Sequence, residues 1–159
     1  MTKTFSFTLI GLLLLGPVEY SIGQVISNQQ KAKIEEQVDS VFHDHIKSAE
    51  HLDFDRLSLG VDDKYHAGFI LNGIYYAKYD SLINIVKMRS QSISSQVITI
   101  QTKKVTVLSD CIVLVTAYGE AKADVSDGNT LTSKFFWSFV FEKIGKDWKV
   151  IQSHQSNLK

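Results

Sequence analysis

The stretch that decides the fold is Cys111-Ile-Val-Leu-Val-Thr-Ala-Tyr-Gly-Glu-Ala-Lys-Ala-Asp-Val125, then Ser126-Asp127-Gly128-Asn129, then Thr130-Leu-Thr-Ser-Lys-Phe-Phe-Trp-Ser-Phe-Val-Phe-Glu-Lys143. Two runs rich in β-branched and aromatic residues, separated by a cluster of turn formers, read as a long β-hairpin. Similar runs at 97–108 and 148–155 flank it across turns at Ser109-Asp110 and Gly145-Lys146-Asp147, which makes a four-stranded antiparallel meander. Upstream the pattern is helical. Ser27 with Gln30 three residues on is a capping box opening a helix to about Glu50. At helical spacing Ile34, Val38, Val41, Phe42, His45 and Ala49 share one face of it, with Glu36, Ser40, His43 and Lys47 opposite. Residues 53–59 allow one more helical turn, 61–72 read as partly extended chain ending at an Asn72-Gly73 turn, and Asp80 can cap a helix carrying Leu82, Ile85, Val86 and Met88. Helices first and hairpins second give an α+β class: N-terminal helices packed on a strongly curved antiparallel sheet, a cone-like half-barrel with a pocket between them.

At the N-terminus, Lys3 precedes a nearly continuous apolar run from Phe5 to Leu15, followed by Gly16 and Pro17. This is the shape of a secretory signal, and the small residues Ser21 and Gly23 place cleavage after Gly23. The expected mature chain begins at Gln24, is periplasmic or extracellular, and forms one domain over 24–159. The run is too short for a comfortable permanent span, so no membrane association is expected after cleavage. The whole chain has 17 basic and 17 acidic residues, a balance that argues against a nucleic-acid or anionic-membrane partner. Cys111, the only cysteine, excludes an internal disulfide and is expected as buried bulk.

The closing segment Trp148-Lys149-Val150-Ile151-Gln152-Ser153-His154-Gln155-Ser156 resembles the last strand of nuclear-transport-factor-2-like (SnoaL-like) domains. Ser109 to Val115 is similar to the strand before the long hairpin in the association domain of calcium/calmodulin-dependent protein kinase. Phe54 to Gly73, with Asp62-Asp63 and Asn-Gly, fits the family's second helix and following strand. The resemblance covers 27–156 and implies a ligand or active site between the concave sheet face and the first helix. It places the kinase domain's pocket arginines at Thr116, Ser138 and Gln155, so no anion clamp is carried over. With Leu114, Tyr118, Phe136, Val140 and Ile151 expected on the same face, the guest is expected to be a neutral or apolar small molecule.

Enzymes of this fold, such as ketosteroid isomerase, scytalone dehydratase and the polyketide cyclases, move protons with Asp, His and Tyr. His45, alone on an apolar helix face, is the most suggestive candidate here, as a proton-transfer group or as a satisfied core histidine. Tyr65 and His66 enter the pocket mouth with only one pointing inward, and Tyr65 is the preferred one. The first helix lacks the tyrosine an isomerase would supply, and the inward strand positions offer no Asp. His43 and His45 lie about 200° apart on a helix, so they are no metal pair. No HExxH, GxSxG or phosphate loop is present, and no cofactor is implied. His154 is read as a structural hydrogen-bonding residue sharing its face with Trp148 and Val150. The expected site is therefore His45, Tyr65, Thr116, Tyr118, Ser138 and Gln155, in a ligand-binding domain; a cofactor-independent lyase or isomerase and a ligand-free assembly module are the alternatives. Alternation sets Val113, Val115 and Ala117 with Phe135, Trp137, Phe139 and Phe141 on the other, convex face, where so large an apolar patch predicts a homodimer. A three-residue turn at Asp127 to Asn129 would place Gly119 opposite Trp137, whereas a two-residue Asp-Gly turn would slip the register by one and exchange the faces of one strand relative to the other.

Overall fold

The structure is a computed structural model that describes residues 26–158. The expected signal segment and the expected start at Gln24 lie outside the described residues. Helix α1 (Asn28–Glu50) opens with the reciprocal cap its sequence encodes: Gln30 N donates to Ser27 Oγ at 3.2 Å, and Ser27 N donates to Gln30 Oε1 at 3.0 Å. Its buried stripe is Ile34, Val38, Phe42 and Ile46. That stripe runs on to Ile46 rather than His45, which leaves His45 on the flank of the packed face. Helix α2 (Phe54–Leu59) is capped by Asp53, whose Oδ1 accepts from Arg56 N at 2.9 Å, and it ends at Gly60.

Strands β1 (Phe69–Leu71) and β2 (Ile74–Tyr76) form a hairpin around Asn72 and Gly73, with φ of 51° and 79°. Two consecutive positive φ values make the tight turn that Asn-Gly favours. Helix α3 (Tyr79–Arg89) starts two residues earlier than an Asp80 cap would give; Lys78 holds the cap position without a side-chain bond, and Tyr79 N donates to Asp63 Oδ2 at 3.1 Å instead. The meander follows as β3 (Ile93–Val107), β4 (Ile112–Val125), β5 (Thr130–Ile144) and β6 (Asp147–Leu158). The curved, unclosed sheet has the order β2-β1-β6-β5-β4-β3. Because β1 pairs parallel to β6, the sheet is mixed rather than wholly antiparallel.

The register of the central hairpin decides which side chains look inward. Gly119 lies opposite Phe135, Ala117 opposite Trp137 and Thr116 opposite Ser138, two residues away from the register a three-residue turn would give. An even shift keeps each strand's faces together, so Val113, Val115 and Ala117 do share a face with Phe135, Trp137, Phe139 and Phe141. That face, however, is the one the helices cover. Val113, Val115, Phe135, Phe139 and Phe141 are all buried, and the Phe42 ring of α1 meets Phe139 edge-on at 5.8 Å. The expectation that this row is the outer, dimerising surface is corrected accordingly. Fully burying such side chains stabilises by roughly 1.5–3 kcal/mol each, so the helices cover the most apolar row. Gly119 is required here, since a Cβ would stand 2.1 Å from Thr99 O and 2.6 Å from Phe135 Cζ.

Candidate functional site

The space between sheet and α1, where the ligand was expected, is packed with rings. Phe42, Phe69, Phe135, Phe139 and Phe141 are buried there, and Phe69 meets Tyr79 edge-on at 5.2 Å. Tyr79 has its phenol pKa pushed well above the usual tyrosine range by burial.

The sequence-predicted residues are dispersed by this arrangement. Thr116, Tyr118 and Ser138 lie on the outer face, since they alternate with the buried row. There they line a shallow hollow of about 380 Å³ with Phe136 and His154, and Tyr118 stacks on Phe136 at 4.9 Å. Tyr65 is exposed and donates its hydroxyl to Glu142 Oε1 at 2.9 Å, on that same outer side, rather than entering a pocket mouth. Gln155 does face inward, opposite Trp137, and donates to Ser153 Oγ at 3.2 Å. It does so because the pairing slips between Val140 and Phe141, leaving Ile151 unpaired as a bulge. A bulge inverts the alternation beyond it, so Trp148 and Val150 share their face with Ser153 and Gln155, and His154 is left outside. Cys111 is exposed at the β3–β4 turn, not buried.

His45 alone of the expected residues reaches a sizeable concavity. An open groove of about 800 Å³ runs between the flank of α1, the C-terminal end of α2 with Gly60, and the start of β6. His45 is half-buried on its lining, edge-on to Phe139 at 5.6 Å, with Val41, Ser48, Leu59 and Trp148 around it. Burial lowers its pKa from 6.5 to about 4, so the imidazole is neutral at pH 7. No charge or hydrogen bond among the described residues contributes to that shift. The groove's rim holds cations and anions together, among them Lys33, Arg56 and Lys146 with Glu36, Asp44 and Asp147. Sequence reasoning singled out His45 but missed its setting, because the lining comes from three distant segments. Among the described residues no group of His, Cys, Asp and Glu is placed to hold a metal ion, and no helix is long and apolar enough to cross a membrane.

A helical layer over a curved mixed sheet, with the conical interior closed by aromatic side chains, defines a nuclear-transport-factor-2-like α+β protein. The chain belongs to the SnoaL-like domain family, whose model matches residues 38–158. Among solved structures it is similar to a nuclear transport factor 2-like superfamily protein from Salmonella enterica serovar Typhimurium, with TM-score 0.72 and 13% identity over 81% of this chain and 94% of that one. A provisionally named dehydratase of the same family from Streptomyces avermitilis gives TM-score 0.71 and 15% identity over 81% and 99%. A hexachlorocyclohexane dehydrochlorinase of type 3 from Novosphingobium barchaimii gives 0.66 and 14% over 82% and 90%. No curated protein sequence matches the chain. At these identities the likeness concerns the fold.

Proposed function

We propose that this chain is an exported small-molecule-binding domain whose ligand sits in the α1–α2–β6 groove against His45. The observation that carries the reading is the neutral, half-buried imidazole on the groove's lining, edge-on to Phe139, with no hydrogen bond or charge among the described residues shaping its titration. The ring is a hydrogen-bonding group presented to the groove, where a bound ligand can meet it. Export rests on the N-terminal sequence and is checked by N-terminal analysis of the processed protein, expected to begin at Gln24.

Proton-transfer chemistry in the same groove is the competing reading, favoured by the lyase names of two structural relatives. His45 argues against it. A base whose conjugate acid has a pKa of about 4 is far from the operating pH and abstracts protons poorly. The test is thermal denaturation with neutral aromatic probes and their carboxylate counterparts. A saturating neutral ligand at a hundred times its Kd should stabilise by about 2.7 kcal/mol. Stabilisation by carboxylates alone, or by nothing, would contradict the reading.

A further inference from the structure

Gly60 closes α2 with φ −77° and ψ −5°, a helical conformation open to any L-residue. Its backbone therefore does not demand glycine. A Cβ at this position would nevertheless stand 3.4 Å from His45 Nδ1, in van der Waals contact with it, and 3.3 Å from Leu57 O. The bare Cα leaves the approach to that nitrogen open, on the lining of the groove.

The other polar groups nearby are already engaged. Trp148 Nε1 donates to Gln37 Oε1 at 3.2 Å, Lys149 Nζ to Leu59 O at 2.6 Å, and Ser48 Oγ to Asp44 O at 2.8 Å. Gly60 itself donates its N–H to Arg56 O and Leu57 O, and its carbonyl accepts from Val150 N at 2.9 Å. Apart from Ser40, Gln37 and the charged residues, the lining offers the His45 ring amid apolar surface from Val41, Leu59 and Trp148, with Leu59 strongly exposed at the lip. The rim charges are of both signs and select no ionic guest.

Building on the binding reading above, we infer that the groove takes a predominantly apolar, neutral compound bearing one hydroxyl, and that Gly60 admits this hydroxyl to His45 Nδ1. A hydroxyl both donates and accepts, so it satisfies Nδ1 in either tautomer of the neutral ring, whereas a carbonyl satisfies only one. A carboxylate would be stripped of water against an uncharged partner.

The experiment compares 1-naphthol, naphthalene and 1-naphthoate by calorimetric titration into the processed chain, its Gly60→Ala variant and its His45→Phe variant. Wild type should bind 1-naphthol at least tenfold more tightly than either analogue. Gly60→Ala should weaken 1-naphthol at least tenfold while its melting temperature holds or rises, since a helical glycine replaced by alanine restricts the unfolded chain. His45→Phe keeps a ring but removes the nitrogens, and should erase the preference for naphthol over naphthalene. Naphthalene or naphthoate binding within twofold of naphthol, or either variant keeping the wild-type preference and affinity, overturns this inference and leaves the groove as a binding site. Failure of all three probes to bind wild type overturns both.

Discussion

On β5, Phe135, Phe139 and Phe141 lie buried beneath the helices, while Phe136 between them is turned outward and 49% exposed. The two faces of the strand differ less in the kind of residue than in how many large apolar groups line up across neighbouring strands. Inward, Val113, Val115 and Ala117 of β4 extend the Phe row into a continuous surface; outward, Leu114 and Tyr118 are interrupted by Thr116 and Ser138. Helices cover the continuous surface. A stacked pair of aromatic rings, Tyr118 and Phe136, is left on the other side, and the expected dimer contact is proposed to lie there.

The most severe test of this contrast is Phe139→Ala against Phe136→Ala in urea denaturation. The inward truncation should cost about 3–5 kcal/mol, and the outward one less than about 1 kcal/mol in the monomer. Equal losses would mean the faces are not distinct.

The groove offers the next largest effect. His45 has a pKa of about 4 when folded and 6.5 as a free side chain. Between those values the unfolded chain binds the proton and the folded chain does not, so stability rises with pH across this window and is lost as pH falls from 6.5 to 4. The loss should reach about 3 kcal/mol at pH 4, and His45→Gln should remove that contribution from the stability profile. A wild-type profile that His45→Gln leaves unchanged would show that the ring is not held neutral by burial.

Gly119→Ala should destabilise by about 1–3 kcal/mol, because its Cβ meets the Thr99 carbonyl and the Phe135 ring. Stability unchanged within about 0.5 kcal/mol would contradict the observed register. The smallest effect on stability is expected for Phe136→Asp, which should shift a dimer joined through the outer face towards monomer in light scattering while leaving the far-ultraviolet circular dichroism intact. A wild-type chain already monomeric at high micromolar concentration would dispose of that interface.

Much of the fold was legible because the signals are local. The Ser27/Gln30 cap, the Asn72-Gly73 turn and the alternation of β4 and β5 each depend on neighbours within a few residues. What was not legible depends on long-range contacts. Alternation groups Phe135 with Phe139 but does not say which face meets α1; the bulge at Ile151 reverses parity without any glycine to announce it; and the parallel pairing of β1 with β6 joins segments more than eighty residues apart. The site suffers most from this, since the resemblance and the strand alternation that place Thr116, Tyr118 and Ser138 in the pocket do not say which face meets α1. His45 was noticed because a histidine interrupts an apolar helical pattern, yet Gly60 carries no such mark: its role is visible only once the chain brings it beside the ring.

The central claim, that a small molecule occupies the groove beside His45, is most directly tested by native mass spectrometry of the protein isolated from its native compartment. The wild-type chain, Phe136→Asp and a groove-filling His45→Trp variant should be compared under identical gentle conditions. We expect a small-molecule adduct on wild type and on Phe136→Asp, and its loss from a folded His45→Trp. An adduct retained by His45→Trp but lost from Phe136→Asp would place the ligand on the outer face of the sheet and contradict the account.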